Sequence, residues 1–409
     1  MEITAPAGNL EKLQYALAYN ADAVYLAGQQ FGLRAFAGNF STDELRLGVE
    51  HAHALGRKAY LTLNVFSGNA DIEALPEYLQ EISKTPFDAV IVSEPGTLAI
   101  VRKHTAFPVH LSTQANTTNY QAVKFWQEQG ISRVILAREV SYAEMLEIRQ
   151  RVPEIELEAF IHGAMCMAWS GRCLMSALLN DRSANMGECT HPCRWEWNLT
   201  EPTRPGQEFT IEEDARGSYL MHSKDLCLLR EMPLLAASGI AAGKIEGRMK
   251  STYYTALMSR TYHEAKTLQA TDQRAWQILA EEVCKVNHRP YFPGFFYSGD
   301  EAVLLSKMPD INLGDYNIDW QYCGKTLRAE NGLLWFDCLS KISTGDTVQV
   351  IYPDRLMDVT FTADRIYDEE SNLVSLTKPN RSFAFPLENC SAEWGLVRKL
   401  EKGSIKDDA

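Results

Sequence analysis

Four of the chain's nine cysteines, Cys166, Cys173, Cys189 and Cys193, fall in one segment, EAFIHGAMCMAWSGRCLMSALLNDRSANMGECTHPCRWE, which runs from Glu158 to Glu196. Six, fifteen and three residues separate them in turn. That spacing is not the C-x2-C knuckle of common structural zinc sites. Four soft sulfur ligands still suit either a tetrahedral zinc ion or the corners of an iron–sulfur cluster. Free cysteine also packs as a small hydrophobe, which accounts for one or two buried thiols. It accounts poorly for four beside Gly163, Gly171 and Gly187, whose backbones can wrap closely round a centre. A cysteine nucleophile would need a positioned base, for which His162 and His191 are candidates; either could equally be a ligand, a substrate contact or a satisfied structural side chain. Cys284, Cys323, Cys338 and Cys390 are scattered through the last third and receive no role.

Composition bounds the setting of these thiols. With 409 residues, 45% hydrophobic and 23% charged, the chain can bury a large core, and its length suggests one large domain plus a smaller one. No signal-like start or membrane-length apolar run is seen, so a cytoplasmic location is expected, without membrane association. There thiols stay reduced, and clustered cysteines are more often ligands or catalysts than disulfides. A net charge of −13 argues against a surface that tracks nucleic acid throughout. A local basic face is compatible with it; in GKIEGRMKS, Lys244, Arg248 and Lys250 read first as the solvated start of a helix.

Elements of alternating type must position the cysteines. Eight apolar runs, EITAPA, DAVYLAG, KAYLTLN, DAVIVSE, PVHLSTQ, RVILARE, IELEAFIH and AGKIEGR, alternate with helical patterns such as the one opened by Ser41-Thr42. Strand and helix alternating eight times predict a (βα)8 TIM barrel. No G-x-G-x-x-G follows the first strand, which removes the main reason to prefer an open doubly wound sheet. Chemistry then belongs at the carboxyl ends of the strands, where Gly8, Gly28, Asn64, Glu94, Gln114, Arg138, Glu139, His162, Glu246 and Arg248 stand. Some eighty residues separate the seventh strand from the eighth, a long insertion that also holds Cys227. After about residue 285 the pattern changes to alternating strands punctuated by Asn331-Gly332 and Gly345-Asp346, a small antiparallel β-barrel. The expected layout is a barrel domain over 1–285, a linker over 286–319, the small barrel over 320–400 and a mobile tail over 401–409.

The stretch EAFIHGAMCMAWSGRCLMS, with APAGNLEKL, ADAVYLAGQQFGLRAFAGNF, HLSTQANTTN, GECTHPCRW, SKDLCLL, KIEGRMKS and HRPYFPGF, resembles the collagenase-like peptidase family U32 from residue 5 to about 296. The resemblance implies a modified (βα)8 barrel. No G-x-S-x-G, H-E-x-x-H or aspartyl pair supports a hydrolase. Within the family the chain is most similar to the branch of oxygen-independent tRNA uridine hydroxylases, which implies a [4Fe–4S] cluster, prephenate as co-substrate, and 5-hydroxyuridine at the wobble position as product.

Carried over residue by residue, the resemblance implies Cys166, Cys173, Cys189 and Cys193 as cluster ligands. Cys227, in SKDLC, is the alternative fourth ligand. A carboxylate-bearing donor would bind among Arg34, Asn64, Gln114, Arg138 and Arg248, since arginine forks suit carboxylates. His162, Glu158 and Glu246 are candidate proton-transfer groups. The implied partners are tRNA and the small acid, with a homodimer or a paralogous partner subunit as further expectations. For tRNA docking the small barrel offers Lys325, Arg328 and Arg355 with Trp335 and Tyr352, although a strand tryptophan more often fills a core. The rival readings are a collagenase-like peptidase and a zinc-holding barrel that binds peptides or small carboxylates.

Overall fold

A computed structural model describes residues 1–33, 38–166, 173, 175–180, 182, 184, 188–192, 199–200, 208–209, 224–297, 320–388 and 390–401. Arg34, Cys193 and the expected tail beyond residue 401 lie outside the described residues.

Each of the eight apolar runs forms a strand. In order they are β1 (Glu2–Pro6), β2 (Ala23–Leu26), β3 (Lys58–Leu63), β4 (Ala89–Val92), β5 (Val109–Leu111), β6 (Arg133–Ile135) and β7 (Glu156–Ala164), then β11 (Ala242–Ile245) after the insertion. Neighbours pair in parallel, and β11 pairs with both β7 and β1, which closes the barrel. Between β7 and β11 lie α7 (Met175–Asn180), the two-residue strands β8 (Leu199–Thr200) and β9 (Glu208–Phe209), β10 (Asp225–Cys227) and α8 (Met232–Ala237). Capping chemistry fixes where the crossover helices begin. Ser41 and Glu44 form a reciprocal capping box on α2 (Thr42–Ala54), and Ser141 and Glu144 do the same on α6 (Tyr142–Arg151).

The barrel's lower interior is charged. Glu2, Arg133 and Glu158 point inward from β1, β6 and β7, where Arg133 Nη1 donates to Glu2 Oε1 at 2.7 Å and to Glu158 Oε2 at 3.2 Å. Burial would push the Glu2 carboxyl up, but the hydrogen bond and charge of Arg133, the charge of Lys58 and a bond from Tyr60 together hold it at about 2.

The barrel sheet continues past the expected boundary at residue 285. β12 (Tyr291–Phe292) pairs in parallel with β10, and Phe296 stacks on Tyr142 with ring centroids 4.9 Å apart. Residues 286–297 therefore belong to the barrel domain, and a linker can begin no earlier than residue 298.

The small barrel is an antiparallel sheet curled into a half-barrel. Its strands are β13 (Trp320–Glu330), β14 (Leu333–Cys338), β15 (Thr347–Ile351), β16 (Val359–Thr362), β17 (Ile366–Tyr367), β18 (Leu373–Val374), β19 (Arg381–Pro386) and β20 (Leu396–Leu400). They run in the order β16-β15-β20-β13-β14-β19-β17-β18. Asn331 and Gly332, both at positive φ, make the β13–β14 turn.

Buried ions fasten this sheet to α9 (Thr252–Ala265) and α10 (Gln273–Val283). Glu282 accepts from Arg398 at 2.9 Å, Arg260 pairs with Asp358 at 2.8 Å, and Tyr19 Oη donates to the carbonyls of Ile351 and Trp394. The residues read from the sequence as a docking set have partners within the chain. Trp335 and Tyr352 are buried, Lys325 pairs with Glu11, Arg355 pairs with Glu264, and Arg328 pairs with Glu330 over the Trp335 ring. Tyr352 fills the core of the small sheet, whereas Trp335, between the core residues Leu334 and Phe336, lies on the opposite face under Arg328.

Candidate active site

A cavity open to solvent sits at the carboxyl ends of the barrel strands. Its lining includes Asn64, Gln114, Arg138, Glu246, Arg248, Cys166, Cys173 and Cys189. Residues spread over more than 180 positions of sequence thus meet in one place. Leu33, next to Arg34, also lines it, and its backbone N–H donates to Asn64 Oδ1 at 3.2 Å, so Asn64 ties down the loop that leads to Arg34.

Close backbone approach holds the β11 end of the cavity. A Cβ on Gly8 would lie 2.2 Å from the carbonyl oxygen of Arg248, and one on Gly163 would lie 2.4 Å from that of Glu246. Gly163 also has φ +109°, a conformation that side chains resist. Gly163→Ala is therefore expected to destabilise the fold by about 1–3 kcal/mol, read as a lowered midpoint of chemical denaturation. An unchanged midpoint would show that the segment relaxes freely.

Above this, Arg138 stacks its guanidinium 4.0 Å from the Phe160 ring centroid and faces Glu246 at 3.7 Å. Arg248 reaches Thr62 Oγ1 at 3.4 Å, and Lys12 Nζ donates to the Arg248 carbonyl. Two guanidiniums and the Lys244 ammonium against one carboxylate leave the described lining cationic, the polarity that suits an anionic ligand.

The insertion carries the thiols to the cavity wall. Ser176 Oγ, on α7, accepts from Thr190 N at 3.0 Å, and Asn180 Nδ2 donates to Thr190 Oγ1 at 2.7 Å, so α7 clamps the loop that bears Cys189. Cys189 Sγ itself accepts a backbone N–H from His191 at 3.4 Å. Burial, with the charges of Cys166 and Cys189 adding to it against backbone hydrogen bonds, pushes the Cys173 thiol up. A nucleophilic thiol needs the opposite shift.

These residues fit a metal–sulfur centre. Cys166, Cys173 and Cys189 are free thiols on one cavity wall. Among the described residues no three His, Cys, Asp or Glu side chains crowd round a single-ion position. Soft thiols lining one cavity suit either a zinc ion or the corners of a polynuclear cluster.

Three of the expected residues lie elsewhere. Cys227 is on β10, which runs antiparallel to β7 with Cys227 opposite His162; it is buried 3.6 Å from Tyr262 Oη, where burial pushes its thiol to about 12, and it does not line the cavity. His162 is wholly buried, hydrogen-bonded through Nδ1 to Tyr262 Oη at 3.0 Å and packed against Tyr254 and Tyr291. Burial first, then the charges of Lys250 and His288, bring it down to about 3, which makes it a neutral packing residue outside the cavity. Glu158 lies beneath the cavity in the charged interior and reaches it only through Lys244.

Lys244 and Arg248 correct the reading of GKIEGRMKS as a solvated helix start, because both are buried in the barrel and line the cavity. A signal was there. The run AGKIEGR already read as a strand, which places Lys244 inside a barrel element rather than at a helix start.

Among the described residues no helix is long and apolar enough to cross a membrane. The model of Peptidase family U32 matches residues 8–304. The chain is 35% identical to the tRNA hydroxylation protein P of Escherichia coli, over 89% of this chain and 88% of that one. It is 40% identical to the protein of the same name from Helicobacter pylori, over 86% and 84%. A collagenase of Porphyromonas gingivalis is 29% identical over 72% and 73%. A family match across most of the barrel, with relatives this similar over nearly their whole length, establishes that the chain belongs to peptidase family U32.

Proposed function

We propose that the chain hydroxylates tRNA, converting a wobble uridine to 5-hydroxyuridine without dioxygen, with a [4Fe–4S] cluster on Cys166, Cys173, Cys189 and Cys193 and a prephenate-type acid as hydroxyl donor. The observation that carries this is the meeting of three free thiols with Arg138 and Arg248 in one cavity at the barrel mouth. The likeness to proteins named for tRNA hydroxylation over most of the chain supports the choice of substrate. In overall balance the uracil C5–H becomes C5–OH and the donor exchanges its hydroxyl for hydrogen.

A bound cluster supplies redox-active iron at the cavity wall. The chain's own residues do the rest. Arg138 and Arg248 receive the donor's carboxylate, the stacked Phe160 ring holds the Arg138 fork in orientation, and Glu246 lies within reach to hold or return a proton.

The test is anaerobic purification with iron and sulfide analysis, followed by mass spectrometry of tRNA nucleosides from a deletion strain carrying this chain. About four irons and four sulfides per chain, with 5-hydroxyuridine restored, are expected. Protein that is colourless and iron-free under anaerobic preparation, and tRNA that stays unmodified, would overturn the proposal. Restoration by this chain alone also separates self-sufficiency from dependence on a paralogous subunit.

A further inference from the structure

The floor of the cavity is an ammonium whose donors the described residues do not fill. Lys244, on β11, is 5% exposed and lines the cavity. Its Nζ donates to Glu158 Oε1 at 3.0 Å and lies 3.9 Å from the centroid of the Tyr25 ring. Among the described residues that carboxylate oxygen is its hydrogen-bond acceptor and that ring face its other close contact; burial pushes the lysine below its ordinary value, against the charges of Glu158 and Glu246, which favour the ammonium. An ammonium carries three N–H donors, and burying one without an acceptor is costly.

Glu158 cannot turn to supply a second acceptor. Its other oxygen, Oε2, is held at 3.2 Å by Arg133, and Arg133 is itself bound by Glu2 at 2.7 Å and by Glu156 at 2.7 Å. The chain Glu2–Arg133–Glu158–Lys244 therefore runs up the barrel interior and presents its last cation to the cavity. A second polar group in the same lining also lacks a partner. Gln114 Oε1 is buried with no hydrogen bond from the described residues, so it asks for a donor. A ligand that satisfies both sites brings an anionic oxygen to Lys244 and a hydroxyl to Gln114, the chemistry of a small hydroxylated carboxylic acid.

We infer that Lys244 anchors a carboxylate of the hydroxyl donor at the cavity floor, and that Glu158, braced by Arg133, is the residue that positions the Lys244 ammonium. This rests on the donor reading given under the proposed function. It adds a third cation, below the two arginines, and a direction for the acid to lie in.

The probe is prephenate, titrated by calorimetry into anaerobically prepared protein, with steady-state KM for prephenate and for tRNA measured alongside. Lys244→Met is expected to weaken prephenate binding on the order of 100-fold and to raise the prephenate KM while the tRNA KM stays unchanged. Lys244→Arg should recover part of the affinity. Because Lys244→Met leaves Glu158 with one partner fewer, the double variant Lys244→Met/Glu158→Gln, which removes both charges, serves as the folding-neutral control, with thermal unfolding and cluster absorbance confirming it. Prephenate affinity in the folded double variant equal to wild type would overturn the assignment and leave the donor reading standing. Folded, cluster-bearing wild type that binds no prephenate would overturn the donor reading, and the assignment with it.

Discussion

Cys173→Ser is expected to abolish the violet absorbance of anaerobic protein and to lower 5-hydroxyuridine in tRNA by at least about 100-fold, whereas Cys227→Ser should leave both near wild type. The contrast follows from position. Cys173 lines the same cavity as Cys166 and as Cys189, whose loop α7 clamps. Cys227 sits in a strand ladder opposite His162, in contact with Tyr262, with its side chain away from the cavity. Cys193 follows Cys189 by four positions and belongs with the wall thiols on sequence grounds, so Cys193→Ser should behave as Cys173→Ser. The measurement is an absorption spectrum paired with nucleoside mass spectrometry. A spectrum lost in Cys227→Ser and kept in Cys193→Ser would move the fourth ligand to β10.

Glu282→Ala should destabilise the protein by about 3–5 kcal/mol, the largest stability effect expected of any single substitution considered. Glu282 is nearly inaccessible and is shared by Arg398, Arg260, Lys285 and Arg355. Removing it leaves the buried Arg398 guanidinium without its carboxylate and takes one of the carboxylates from Arg260, which keeps Asp358. Burial alone would push the Glu282 carboxyl up, but Arg398, Lys285 and Arg355 outweigh it and hold it well below the usual carboxylate range. A carboxyl whose folded pKa lies below its unfolded value stabilises the fold above the unfolded value and loses that contribution as the pH falls. Wild type should therefore lose stability on acidification below about pH 4.5, and Glu282→Ala should lose less over the same range. Denaturation midpoints at pH 7 and pH 4 check both statements. A midpoint unmoved at pH 7 would mean that the network contributes nothing net.

The barrel was legible because its signals are local and repeated. Each strand announces itself by a β-branched run such as DAVYLAG or DAVIVSE, and each helix by a cap such as Ser41 with Glu44. Of the residues at strand ends, Asn64, Gln114, Arg138, Glu246 and Arg248 meet in the cavity, whereas Gly8, Gly28, Glu94 and Glu139 do not line it. His162 misled because it stands at a strand end like the others. Only the packing of α9 against β7 shows that its ring is taken by Tyr262. Lys244 was missed by weighing charge above the strand pattern. Most polar interiors are stabilised by partners distant in sequence, and the Arg133–Glu2 pair spans 131 positions. No window of sequence shows such a pairing.

The ion network between α9, α10 and the C-terminal sheet also limits how this chain can be recombined. Arg260 and Glu282 come from one side of the seam, Asp358 and Arg398 from the other, and Tyr19 seals it with two backbone carbonyls. A C-terminal sheet swapped in from a relative would have to bring equivalents of Asp358 and Arg398, or meet charges that nothing neutralises. The two parts are therefore bound to change together, and a chimera cut near residue 319 is compatible only where both halves of the seam match.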